Sequence, residues 1–147
     1  LYIVKGKQLI DNHTLADHAK PNSHSNELYK GLLDETGTGV FNGKIMVRQD
    51  AQKTNAYQTN TNILLSNDAT INSKPQLEIF ADDVKCSHGA TTGQINPDEV
   101  FYLRSRGISE TESKKLLLSA FAHEIIDEVA NEELKNLLIK RLDKKLG

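Results

Sequence analysis

Asn55-Ala56-Tyr57-Gln58-Thr59-Asn60-Thr61-Asn62-Ile63-Leu64-Leu65-Ser66-Asn67-Asp68 is the stretch on which the fold turns. Its apolar cluster, Ile63 to Leu65, has the length of a strand and is far too short for an amphipathic helix. Turn-forming residues follow it at once. Working outward, similar short apolar pieces recur at Tyr2–Val4, Leu28–Leu33, Val40–Val47, Leu77–Phe80 and Val84–Cys86, each set among Asn, Thr, Gly and Asp. Asp17, Asp34, Asp50, Asp68 and Asp83 follow one another at short, nearly equal intervals. Ile45 precedes Asp50, and Ile63 precedes Asp68, by the same five positions. A repeat this short is no helical hairpin or propeller blade. It fits about one coil of a β-solenoid, in which only the stack of coils buries a core. Asn55, Asn60, Asn62, Asn67 and Asn72 suit such a stack, because Asn tolerates left-handed turns and can ladder between coils. An ordinary sandwich with similar strand spacing stays open on periodicity alone.

Near residue 96 the pattern becomes helical. Asn96 reads as an N-cap, Pro97 suits the first helical position, and Asp98 and Glu99 favour the positive end of the helix dipole. Gly107 is a stop. Ser109-x-x-Glu112 is a capping box opening a second helix. Leu116, Leu117, Ala120, Phe121, Ile125 and Val129 are its expected apolar face. A third helix runs from about Asn131, with Leu134, Leu137, Leu138 and Leu142 on one side.

The expected architecture is therefore mainly β over residues 1–95, as solenoid coils or as a sandwich, with a short α-helical segment over 96–147. The 147 residues allow one domain with a core, or one domain plus an appendage. A net charge of −2 argues against a nucleic-acid surface, which normally carries a basic excess. No apolar run approaches a membrane span. A single cysteine cannot make an internal disulfide, which points to a reducing compartment. The strand-like start at Leu1 to Val4 leads to the expectation that an N-terminal part of a longer protein is absent.

Cys86-Ser87-His88 is the sharpest chemical signal. Residues two apart on a strand share a face, so thiol and imidazole would lie together, and both are transition-metal ligands. A cluster or tetrahedral metal site needs about four ligands. With no second cysteine, any metal held here needs ligands from another molecule. Cys86 also shares its face with Val84, opposite Lys85 and Ser87, so the residues alone favour a small buried hydrophobe over a ligand. His13, His18 and His24 have no ligand spacing and read as exposed loop residues. The spaced aspartates suggest turns, or else a calcium-lined groove in a polysaccharide-acting solenoid enzyme. Thr36-Gly37-Thr38-Gly39 is not a phosphate-binding loop, since no Gly-Lys-Ser/Thr follows.

Several longer motifs resemble the SufB/SufD family of iron–sulfur cluster assembly scaffolds. They are Phe41-Asn42-Gly43, Ala51-Gln52-Lys53-Thr54, Leu64-Leu65-Ser66, Lys74-Pro75-Gln76-Leu77-Glu78-Ile79 and the run from Ala81 through Cys86-Ser87-His88-Gly89-Ala90-Thr91. Phe101-Tyr102-Leu103-Arg104-Ser105-Arg106-Gly107-Ile108 and Ala120-Phe121-Ala122 continue the match in order, and the cysteine motif resembles the SufD branch or a close relative of it. Thr38 stands where many relatives carry a basic residue.

The resemblance implies a right-handed parallel β-helix with C-terminal helices, and a non-catalytic cytoplasmic scaffold with no ATP site. It implies pairing with a SufB-type paralogue through the β-helix and docking of a SufC-type ABC ATPase through the helices. A transient iron–sulfur cluster would be shared with the paralogue, with His88 as a ligand and Cys86 beside it. Phe101, Tyr102, Arg104, Arg106, Leu117 and Phe121 fall in the docking segment. Open strand edges offer the isolated chain a route to a homodimer, which the sequence does not decide. The competing readings are the solenoid enzyme and a purely structural oligomerising β-helix.

Overall fold

The short apolar clusters become strands of nearly uniform length. A computed structural model describes residues 1–147. The strands are β1 (Tyr2–Val4), β2 (Leu9–His18), β3 (His24–Leu33), β4 (Thr38–Val47), β5 (Asn55–Leu64), β6 (Thr70–Ile79) and β7 (Lys85–Gly93). Helices α1 (Pro97–Ser105), α2 (Glu110–Ile126) and α3 (Glu132–Leu146) follow. The chain divides into two compact units, Tyr2–Gly93 and Gln94–Gly147 with Leu1.

In the first unit each strand pairs in parallel with the strand two along. One sheet has the order β1-β3-β5-β7 and the other β2-β4-β6. Successive strands thus alternate between two sheets, which is a flattened β-solenoid of about three turns and excludes a sandwich of antiparallel hairpins.

The register corrects one expectation. Leu9 pairs with Thr38, and Thr38 in turn with Thr70. In the other sheet His24 pairs with Asn55, and Asn55 with Lys85. Each of these steps takes in two aspartate intervals, so the aspartate spacing is half a coil and not a whole one. Each coil is pressed flat into two strands, and each strand carries its own apolar run and its own turn.

Side chains alternate in and out along β4, with Phe41, Ile45 and Val47 fully buried. Ile45, Val47, Ala51, Ala56 and Ala81 form an apolar cluster along one edge of the stack. Tyr2, Val4, Leu33 and Ala69 form another along the opposite edge. The middle is polar. The Tyr2 hydroxyl donates to Asn62 Oδ1, and Asn60 Nδ2 donates to Tyr2 Oη at 3.2 Å. Asn62 Nδ2 and Ser73 Oγ each donate to Asn60 Oδ1 at 2.8 Å. Gly31 lies between Tyr2 and Asn62 in one ladder column, and a Cβ there would meet Asn62 Oδ1 at 2.5 Å.

Two local expectations change. None of the five named asparagines takes a left-handed turn; among non-glycine residues, Asn22, Glu35 and Lys53 do. Asn60 and Asn62 are buried strand residues whose mutual bond runs along β5, not between coils. The three histidines lie on strands, not loops. His18 is buried at the end of β2, its Nε2 2.9 Å from Ser25 Oγ. His13 and His24 are exposed.

In the second unit, Asn96, Ser109 and Asn131 cap the three helices, accepting from the backbone N–H groups of Asp98, Glu112 and Leu134. Gly107 ends the first helical stretch at a φ of +91°, a conformation that favours glycine. The expected apolar face of α2 is only partly right. The residues it buries are Ser113, Leu118, Ala122 and Ile126, while Leu116 and Ala120 are exposed. Apolar residues occur nearly all round this helix, so packing, not periodicity, selects the covered side. On α3 only Leu142 is buried, and Leu134 and Leu137 are exposed.

Candidate functional site

Strand β7 is the last in its sheet and pairs on one side only, with β5. In that ladder Cys86 faces Ala56 and His88 faces Gln58. Ala56 and Gln58 are buried inward-facing residues of β5, so Cys86 and His88 take inward-facing positions too. The two nevertheless differ in surroundings.

Cys86 is half-buried and packs against the cluster containing Ile45, Val47 and Ala56. Loss of water around the thiol pushes its pKa up, partly offset by a hydrogen bond with the Ala56 backbone. Such a thiol stays protonated at neutral pH and is a weak nucleophile and a poor ligand until a metal displaces its proton. His88 is exposed, because β7 closes the stack and no further coil covers it. The imidazole is therefore open to a partner molecule, whereas the thiol is partly covered by the core.

No group of three or more His, Cys, Asp and Glu side chains converges in this structure. The periodic aspartates do not gather either. Asp34 and Asp68 follow β3 and β5 at one edge of the stack, whereas Asp50 and Asp83 follow β4 and β6 at the other. Asp17 is held by Arg48, with Nη2 to Oδ2 at 2.6 Å, and the guanidinium keeps its carboxyl below the ordinary range. A single aspartate-lined groove is thus absent.

The helical candidates form a different kind of surface. Phe101 and Tyr102 are among the most exposed large apolar residues, at 72% and 56%. Arg106 lies over the Tyr102 ring, 5.2 Å from its centroid, and donates to its hydroxyl at 3.1 Å. Arg104 pairs with Glu110 at 3.6 Å. Leu117 is half-buried and lines a shallow apolar hollow with Asp98, Glu99, Tyr102 and Leu103. Phe121 is half-buried one turn further along α2.

Residues 1–121 match the family described as "SUF system FeS cluster assembly, SufBD core domain". The chain belongs to the SufBD core family. It is 48% identical over 138 residues to an iron–sulfur cluster assembly SufBD family protein of Synechocystis sp., covering 94% of this chain. It is 42% identical over 139 residues to the iron–sulfur cluster assembly protein SufD of Escherichia coli, covering 95% of this chain. The match takes up 30% and 33% of the lengths of those relatives, about a third of each. No helix is long and apolar enough to cross a membrane.

Within this SufBD core, the sequence motifs led to Cys86 and His88 but not to the residues stacked behind them. Glu27, Gln58 and His88 occupy one ladder column on successive coils. Each is a whole coil away from the next along the chain, too far for any local motif to join them. They become legible only when the length of each coil is known.

Proposed function

We propose that this chain is a scaffold segment with no turnover of its own, acting in iron–sulfur cluster assembly as a SufD-type partner. Residues 1–95 pair with a SufB-type paralogue, and residues 96–147 dock a SufC-type ABC ATPase, the chain itself providing no ATP site. The iron–sulfur cluster is cargo, held transiently between chains. His88 supplies this chain's ligand and the paralogue supplies thiolate, with Cys86 in a secondary part. A reducing, cytoplasmic setting suits a protein whose one thiol is unpaired.

The carrying observation is His88 itself: an exposed imidazole on the sheet's edge strand, with Cys86 two residues away and no third ligand gathered around them. Half a coordination sphere at an open edge is what a shared site requires of one partner. For the helices, support comes from Phe101 and Tyr102, whose exposure beside an apolar hollow is the anatomy of a docking surface.

The test is anaerobic co-purification with SufB- and SufC-type partners, measuring iron and sulfide. His88→Ala is expected to leave the complex intact and lower both. Normal loading of that variant would remove His88 from the site.

A further inference from the structure

The column behind His88 ends in an unused hydrogen-bond acceptor. Gln58 is 1% exposed, and its Nε2 donates to Glu27 Oε2 at 2.9 Å. The same carboxylate oxygen accepts from Thr14 Oγ1 at 3.4 Å. The Gln58 amide thus presents its NH2 group to Glu27 and keeps its oxygen, which can only accept, elsewhere. That oxygen is buried and has no partner. Buried acceptors left unpaired are costly and rarely without purpose.

The amide also has little freedom to move. Gly43 on the opposite sheet approaches so closely that a Cβ there would lie 2.6 Å from Gln58 Nε2 and 2.8 Å from its Cδ. Asn60, the next inward residue of β5, is already bound to Tyr2, Asn62 and Ser73. In the ladder, the neighbour of Gln58 on the side away from Glu27 is His88, one strand spacing of about 4.8 Å off. An imidazole at that position can turn a ring N–H onto the free oxygen.

We propose that Gln58 is a positioning residue for His88. Its amide oxygen accepts from one imidazole nitrogen, which fixes the tautomer and ring orientation and leaves the other nitrogen's lone pair free for metal. Glu27 holds the amide the right way round. Histidines that bind metal commonly have their second nitrogen anchored in this way, and loss of the anchor costs on the order of 10-fold or more in metal affinity. The value of this arrangement for cluster assembly rests on His88 being a ligand; the arrangement itself does not.

The test is long-range proton–nitrogen NMR on the 15N-labelled 147-residue chain, above the pH range of histidine titration. His88 signals are assigned by their loss in His88→Ala. The wild-type chain should show one His88 tautomer, and Gln58→Leu should show two in exchange. Gln58→Met, of similar length and without the acceptor, should behave as the leucine variant does and serves if that one does not fold. A mixture of tautomers in the wild type, or a single one that persists without the Gln58 oxygen, would overturn the proposal. Cluster loading in the reconstituted complex separates the two ideas. If His88→Ala loads normally while the tautomer depends on Gln58, the ligand reading falls and the positioning stands. If His88→Ala fails to load while the tautomer ignores Gln58, the reverse holds.

Discussion

Replacing Asn60 with alanine removes the hub of the solenoid's interior. Asn60 is fully buried, and its Oδ1 accepts two hydrogen bonds at 2.8 Å while its Nδ2 donates one at 3.2 Å. Without it, Asn62 Nδ2 keeps only a contact to the Thr91 carbonyl at 3.5 Å, at the limit of a useful bond. Tyr2 retains its own bond to Asn62, and the half-buried Ser73 hydroxyl can turn elsewhere. One stranded buried donor costs about 1–3 kcal/mol. The vacated volume raises the total for Asn60→Ala to about 2–4 kcal/mol. Ser73→Ala should cost only about 1 kcal/mol, because it takes one donor from an oxygen still paired with Asn62. The assay is urea unfolding followed by the β signal in circular dichroism, comparing midpoints for both single variants and the double. The double variant should cost less than the sum of the singles, since both act on one oxygen. A loss below about 1 kcal/mol for Asn60→Ala, or equal losses for the two singles, would refute the hub reasoning.

Gly31→Ala should destabilise the solenoid by about 1–3 kcal/mol through overpacking, since the new methyl would collide with Asn62; an unchanged melting temperature would count against it. The Cys86 thiol, raised by burial, should alkylate appreciably only above the pH range at which the urea-unfolded chain does, and matching pH profiles would contradict this. The unfolded thiol gives up its proton first, so its contribution to stability is complete below the ordinary thiol pKa. That contribution is lost as pH climbs through the raised folded value. Deleting residues 96–147 should abolish binding of a SufC-type ATPase in pull-down while the β signal persists; retained binding would move the docking surface onto the solenoid.

Much of the framework is legible in the sequence. Strand-length apolar pieces among turn formers announced a β-repeat, because a strand needs only a few apolar residues and a turn to end it. Asn96, Ser109 and Asn131 announced the helix starts, because capping is a contact within one turn. Ordered motifs pointed to the SufBD family, and parity along Val84 to His88 put Cys86 on the core side. What stayed hidden depends on residues distant in sequence. The aspartate period could not reveal that two strands make one coil, since a half-turn and a full turn leave the same local pattern. The apolar residues around α2 could not say which side is covered, because the choice belongs to the packing partners. Cys86 and His88 belong to the sequence: two ligand types at strand spacing. The column Glu27–Gln58–His88, the packing that pushes the Cys86 thiol pKa up and the open edge that exposes His88 belong to the fold, because register across successive coils, not chain proximity, decides which side chains meet.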